Sequence, residues 1–152
     1  MQLVADLRGG KVGRSSAREY GVASIHGQWG SPLFLGIEEF RHDMEIPVWM
    51  SHGDRIDVLP KGFSSIAQSG SSPVAAMSNH EGTIFGVQFH PEVVHTPRGT
   101  EILANFLFRV CGLSPDWPMH SFVESSVKKI RETTGSGGVV LGLSGGVDPA
   151  SG

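Results

Sequence analysis

Cysteine is almost missing from this sequence: the 152 residues carry one, Cys111. A single cysteine excludes an internal disulfide and fits a reducing compartment. Long apolar runs are missing too, and none approaches the ~18 residues of a membrane-spanning helix. The opening MQLVADLRGGKVG is not a secretory leader, because Asp6 and Arg8 break its short apolar patch at once. Positive charge is not in excess: 12 Lys and Arg face 15 Asp and Glu, a net charge of −3. That argues against a basic footprint for nucleic acid and against a polybasic membrane patch. Metal spacing is lacking as well. His26, His42, His52, His80, His95 and His120 have no partner cysteine and form no H-E-x-x-H, so no metal is expected and ordinary surface or supporting roles are. A soluble cytoplasmic protein is the expectation, with neither nucleic acid nor membrane as partner.

Glycine, by contrast, is abundant at 21. This suits many tight turns and close backbone approaches, as in loop-rich α/β enzymes. Residues 1–8 read as the end of a helix, with Leu3, Val4 and Leu7 on one face and Gly9-Gly10 as terminator. From 11 to 90 short apolar or alternating runs dominate: 22–26, 47–52, 54–60, 64–69, 73–79 and 83–90, separated by Gly, Pro, Asn and Asp. NHEGT, between the last two, is a hairpin candidate. Then the period changes. Ile102, Leu103, Phe106, Leu107 and Val110 give a helical stripe, with Thr96 and Pro97 as N-cap and N1 and Gly112 as C′. Cys111 falls in its last turn. A thiol there, on or near an apolar stripe, reads as an inert core residue rather than a nucleophile.

Residues 112–120 read as a linker with two prolines. A second helix follows, with Ser121 and Glu124 at capping-box spacing and Phe122, Val123, Val127 and Ile130 as its apolar face. Gly135 can close it. GVVLGL, 138–143, reads as a short buried strand that runs into SGGVD. The first residues open inside an apolar pattern and the last stop just after a glycine-rich turn, so the chain is expected to be cut at both ends.

Three short stretches carry chemistry. In GVQFHPE, His90 and Glu92 are two apart, and Pro91 keeps the chain out of a helix. On an extended backbone such a pair faces one side. A carboxylate beside an imidazole fixes its tautomer and favours its protonated form, which suits a base that takes a proton from a thiol. The bland alternative is a surface turn after a core strand. In SHGD, 51–54, a glycine permits close backbone approach, and free N–H groups at such a turn can hold a carboxylate. The alternative there is an Asx-type turn between strands. In SGGVD, the N–H groups of Ser144, Gly145 and Gly146 can cradle phosphate oxygens.

GVQFHPEVVHT resembles the C-terminal signature of class I glutamine amidotransferases. VWMSHGD and LGLSGGVD narrow the resemblance to the glutamine-hydrolysing GMP synthase family. REYG, SPLF, VWMSHGD, GVQFHPEVVHT, ANFLFRVCG and LSGGVD occur in that family's order and span essentially all 152 residues. The resemblance implies an α/β fold: the C-terminal part of a flavodoxin-like amidotransferase domain with a mixed sheet over 1–111, a linker over 112–120, and over 121–152 the first helix, strand and loop of an adenine-nucleotide α-hydrolase-like ATP pyrophosphatase domain.

It also implies a chemistry. A cysteine in a G-x-C-x-G-x-Q elbow attacks the side-chain amide of glutamine, His90 and Glu92 complete the triad, and the ammonia passes to a second site. Gln2, Ser51, Gly53 and Asp54 would grip the substrate glutamine. Ser144, Gly145, Gly146, Val147 and Asp148 would bind ATP, with Mg2+, to activate XMP as an adenylate. The parent is expected to be a homodimer. MQL matches the last two positions of the elbow, so the nucleophile is expected four positions ahead of Gln2, outside these residues. Pro149 stands where the family has serine. A helix N1 tolerates proline, but the change removes a hydroxyl and an N–H, so tight ATP binding by this chain is not expected. Two rivals stand beside this reading: a non-catalytic amidotransferase-like binding protein, and the amidotransferase part of another glutamine-dependent synthase. SGGVD argues against the second.

Overall fold

The computed structural model describes residues 1–116 and 119–140, with the side chains at 15–18 and 119–121 left aside. The chain divides into two units, Met1–Leu113 and Ser114–Gly152.

The first unit is built on one sheet. Its strands are β1 (Lys11–Gly27), β2 (Ile46–Val58), β3 (Phe63–Ser69), β4 (Ala76–Asn79), β5 (Phe85–Val87) and β6 (Phe89–His90). The order across the sheet is β5-β4-β3-β1-β2-β6. Every pairing among the described residues is antiparallel. The α/β class expected from the sequence holds, and no parallel neighbour of a mixed sheet occurs among these strands. Residues 59–62, 70–75 and 80–84 are short connections, and short turns join antiparallel strands, whereas parallel ones need a long crossover. β5 and β6 lie at opposite ends of the order yet are separated only by Gln88. The sheet therefore curls until its two outer strands are successive pieces of one extended segment.

The runs at 47–52 and 54–60, expected as two strands, are one. β2 alternates as a half-buried strand should: Ile46, Val48 and Met50 are buried, and Pro47 and Ser51 are exposed. They join the main core with Ile25, Phe34, Ile37, Phe40, Phe89 and Ile102. Phe34 meets Phe40 edge to face at 5.2 Å. Burying side chains of this size is worth about 1.5–3 kcal/mol each. A smaller cluster of Ala5, Ile56, Val74 and Met77 lies under α1 (Gln2–Leu7). Here the expected helix face is corrected. Leu3 and Leu7 are 70% and 74% exposed, and the small Ala5 is the fully buried residue.

Between β1 and β2 lie a 3-10 turn, Pro32–Phe34, and α2 (Glu38–Arg41). After β6 comes α3 (Gly99–Ala104), which continues as a π-helical segment, Asn105–Val110. Asn105 opens this segment and anchors it to the turn before α2. Its buried amide donates to the carbonyls of Leu33 at 3.1 Å and Leu35 at 2.9 Å. The wider turn ends on Cys111, whose N–H reaches the Phe106 carbonyl, and Gly112 follows at φ +65° as the expected C′. Cys111 is exposed, so its reading as a core residue is corrected. It caps the π segment, outside the face that buries Ile102.

In the second unit α4 spans Met119–Thr134 and closes at Gly135, φ +54°, as expected. Ser121 lies inside this helix and not at its N-cap. Phe122, Val123, Val127 and Ile130 are 40–56% exposed. Residues 138–140 have no regular structure, and the rest of the expected strand, 141–143, lies outside the described residues.

The hairpin expected at NHEGT forms between β4 and β5, with Met77 opposite Gly86. Asn79 organises it. Its Oδ1 accepts the N–H groups of Thr83 at 2.9 Å and Ile84 at 2.7 Å, and its Nδ2 donates to Glu81 and Thr83. Asn79→Ala strips two backbone donors of their acceptor. It should lower the unfolding free energy by about 1–3 kcal/mol in a denaturant titration. A loss under about 0.5 kcal/mol would show that water replaces the side chain.

Candidate active site

His90 ends β6, and Glu92 lies in the turn after it rather than on extended backbone. The two still meet: His90 Nδ1 and Glu92 Oε1 are 2.8 Å apart. Both side chains are open to solvent, at 43% and 60% exposure. The Glu92 carboxyl is held below the usual range, first by its own backbone N–H and next by the His90 hydrogen bond. His90 Nε2 makes no hydrogen bond among the described residues and is available to a substrate or a thiol.

The loop after His90 is fixed by contacts that sequence spacing does not show. Thr96, expected as a helix cap, does not serve as one: the helix starts at Gly99 with Arg98 as N-cap. The buried Thr96 hydroxyl donates to the His90 carbonyl at 2.6 Å and accepts the Trp49 N–H at 3.0 Å. The loop's far end is tied by Arg98, which donates to Glu39 of α2 at 2.6 and 2.9 Å and to Glu101 at 2.7 Å. Gly99 leaves no room for a side chain, since a Cβ there would overlap the Pro91 carbonyl.

The expected glutamine-binding residues fall partly together. Gln2 Nε2 donates to the Asp54 carbonyl at 3.3 Å, and the same oxygen accepts Gln88 Nε2 at 2.7 Å. Gln88 in turn accepts from Ser72. The start of α1, the SHGD segment and the strand leading to His90 are thereby joined. Met1 packs against Gly86 in the same region. The turn expected at SHGD is corrected, because residues 51–54 lie inside β2. Ser51 pairs with Tyr20, His52 with Glu19 and Asp54 with Arg14, with a register shift on β1 between Arg14 and Glu19. A shift of this kind is a bulge, which bends the strand locally. Tyr20 Oη lies over the Gly53 backbone.

His52 faces the core and not the surface. It meets Glu19 Oε2 at 3.1 Å, and Ser69 Oγ donates to Glu19 as well. His26 pairs with Asp43 at 3.2 Å, and His80 bonds Ser64 at 3.2 Å. His95 lies 4.5 Å from the Trp49 ring, and Trp49 is the register partner of His90. No group of His, Cys, Asp and Glu among the described residues could hold a metal ion, and no helix there is long and apolar enough to cross a membrane. A cavity of about 290 Å³ lies elsewhere, lined by His26, Gln28, Ser65 and Gln68. The His90–Glu92 pair and the junction of Gln2, Asp54 and Gln88 lie apart from it. Ser144, Gly145, Gly146, Val147 and Asp148 lie outside the described residues, as does Pro149.

An imidazole paired with a carboxylate at the end of a strand, which Gln88 ties to the Ser51–Asp54 segment, defines a candidate amide-hydrolysing site of the kind amidotransferases carry. The chain belongs to that family: the pattern of Glutamine amidotransferase class-I matches residues 1–110. More particularly, it is 48% identical over 148 residues to GMP synthase [glutamine-hydrolyzing] of Maridesulfovibrio salexigens, covering 97% of this chain and 28% of that protein. It is 51% identical over 148 residues to the enzyme of the same name from Thermomicrobium roseum, covering 97% and 27%. Among solved structures, a Thermoplasma acidophilum protein described as a GMP synthase subunit superposes with a TM-score of 0.65 at 28% identity, covering 86% of this chain and 56% of that one. The chain thus spans little more than a quarter of the length of the curated relatives.

The Glu92 carboxyl gives a pH signature. Its folded value is lower than its unfolded one, so ionised Glu92 stabilises the fold. That contribution is full above the ordinary glutamate value, about 4.3, and is lost as pH falls through the lower folded value. The melting-temperature gap between wild type and Glu92→Gln should therefore be constant near neutrality and shrink in acid. A gap that widens in acid would contradict the His90–Glu92 bond.

Proposed function

We propose that these residues form the base-and-binding half of a glutaminase site in a glutamine-hydrolysing GMP synthase. The observation that carries this is the 2.8 Å His90–Glu92 bond with Nε2 left free. In this reading the nucleophile is a cysteine four positions ahead of Gln2 in a longer chain, and Cys111 takes no part. Met1 packs on Gly86, so such a residue would enter on the strand that leads to His90.

His90 Nε2 takes the thiol proton as sulfur attacks the glutamine amide carbon. The imidazolium that results is stabilised by ionised Glu92 at Nδ1. The same proton then passes to the leaving nitrogen, which departs as ammonia and leaves a thioester. Water, deprotonated by His90, cleaves the thioester to glutamate and restores the thiol. Ser51, Gly53 and Asp54 hold the substrate glutamine, with Gln2 fixed to Asp54 by its side-chain amide. The ammonia would be consumed at a second site that converts XMP to GMP with ATP and Mg2+. Residues 1–111 are the amidotransferase part in this account, 112–120 a linker, and 121–152 the start of the ATP pyrophosphatase part, with Ser144–Asp148 as its phosphate loop. Purine nucleotide biosynthesis, a homodimeric parent and a cytoplasmic setting go with this reading.

The test is glutamate release from glutamine. The 152-residue chain should show none. With an in-frame upstream segment carrying a Gly-x-Cys-x-Gly elbow, activity should appear. There His90→Ala should lower kcat by about 10³-fold or more, and Cys111→Ala should leave it unchanged. Glutaminase activity in the 152-residue chain that His90→Ala abolishes would overturn the assignment of the nucleophile.

A further inference from the structure

Trp49 is the post around which the loop carrying the catalytic pair closes. It is the Cα register partner of His90 across β2 and β6, so the two side chains rise from one sheet face as close neighbours. Its backbone N–H is bound by Thr96, which gives its own proton to the His90 carbonyl. The His95 ring lies over its indole, with centroids 4.5 Å apart and planes tilted by 36°. Three residues of the segment 90–96 therefore hold Trp49 in three ways: by the sheet ladder, by ring contact and by a hydrogen bond. Glu92 lies between them in the chain, and among the described residues its anchors are His90 and its own N–H.

The His90–Glu92 bond is exposed, and an exposed pair of this kind competes with water and is worth little by itself. It forms reliably only if the backbone already holds the two side chains in reach. Fixing residues 90 and 96 on the Trp49 backbone and 95 on its indole does that, because few residues remain free between them. We infer that Trp49 and His95 are positioning residues that hold Glu92 against His90. The inference rests on the reading of His90 and Glu92 as base and orienter. It gives His95 a task that sequence spacing did not suggest.

The test follows the Glu92 carboxyl by carbon-detected NMR against pH in the 152-residue chain, with amide spectra to confirm the fold. In His95→Ala and in Trp49→Leu the Glu92 midpoint should rise toward the ordinary glutamate value, and the His90 Nδ1 proton signal should vanish. A role in stability alone would lower the melting temperature and leave the midpoint in place. His95→Ala decides the matter if Trp49→Leu does not fold. An unmoved midpoint and a persistent Nδ1 signal in His95→Ala would overturn the inference and leave the catalytic reading standing. His90→Ala separates the two: if it does not move the midpoint, the pair itself is not formed, and the catalytic reading fails together with this inference.

Discussion

The antiparallel pairing of β1 with β2, from Ile25 opposite Ile46 to Lys11 opposite Val58, decides which side chains of this molecule can meet. It turns Val48 and Met50 inward to the core and leaves Trp49 and Ser51 on the other face. Its one large register shift falls between Arg14 and Glu19, and it sets His52 against Glu19. β6 then adds to the free edge of β2 at Trp49 and Met50, which places His90 beside the indole. A change of register by one residue would send Met50 to solvent and carry His90 away from Ser51–Asp54. The chemistry of the site thus depends on a backbone ladder more than on any side chain that takes part in it.

Two side chains convert that ladder into a site. Gln88 occupies the single position between β5 and β6, and its amide reaches the Asp54 carbonyl that Gln2 also reaches. Thr96 bridges Trp49 and His90 with one hydroxyl. Both are buried polar groups with their bonds made. Such groups specify an arrangement as much as they stabilise it, because each unmet bond in the interior is costly.

Much of this was legible in the sequence, where the signal was local. His90, Pro91 and Glu92 carry their relation in their spacing, and Asn79 to Gly82 reads as a hairpin. Gly112 and Gly135 stop their helices where the periodicity ends. What escaped was set by distant partners. Thr96 looks like a cap beside Pro97, yet its partner Trp49 is 47 residues away. SHGD breaks the alternation of apolar residues, so β2 reads as two strands, while the ladder with β1 runs through it. Ala5 and not Leu3 is buried, because the room under α1 is set by Ile56, Val74 and Met77 from other elements. Cys111 is exposed because it follows a π-helical segment, off the face that buries Ile102.

The central claim is that the glutamine-binding segment and the His90–Glu92 pair form one site. Titrating L-glutamine into the isotopically labelled 152-residue chain, and following the amide and imidazole signals, addresses it most directly. The account predicts that the signals that move are those of Ser51, Gly53, Asp54, Gln2 and His90. Movement confined to His26, Gln28 and Gln68 around the other cavity, or no movement at saturating glutamine, would contradict it.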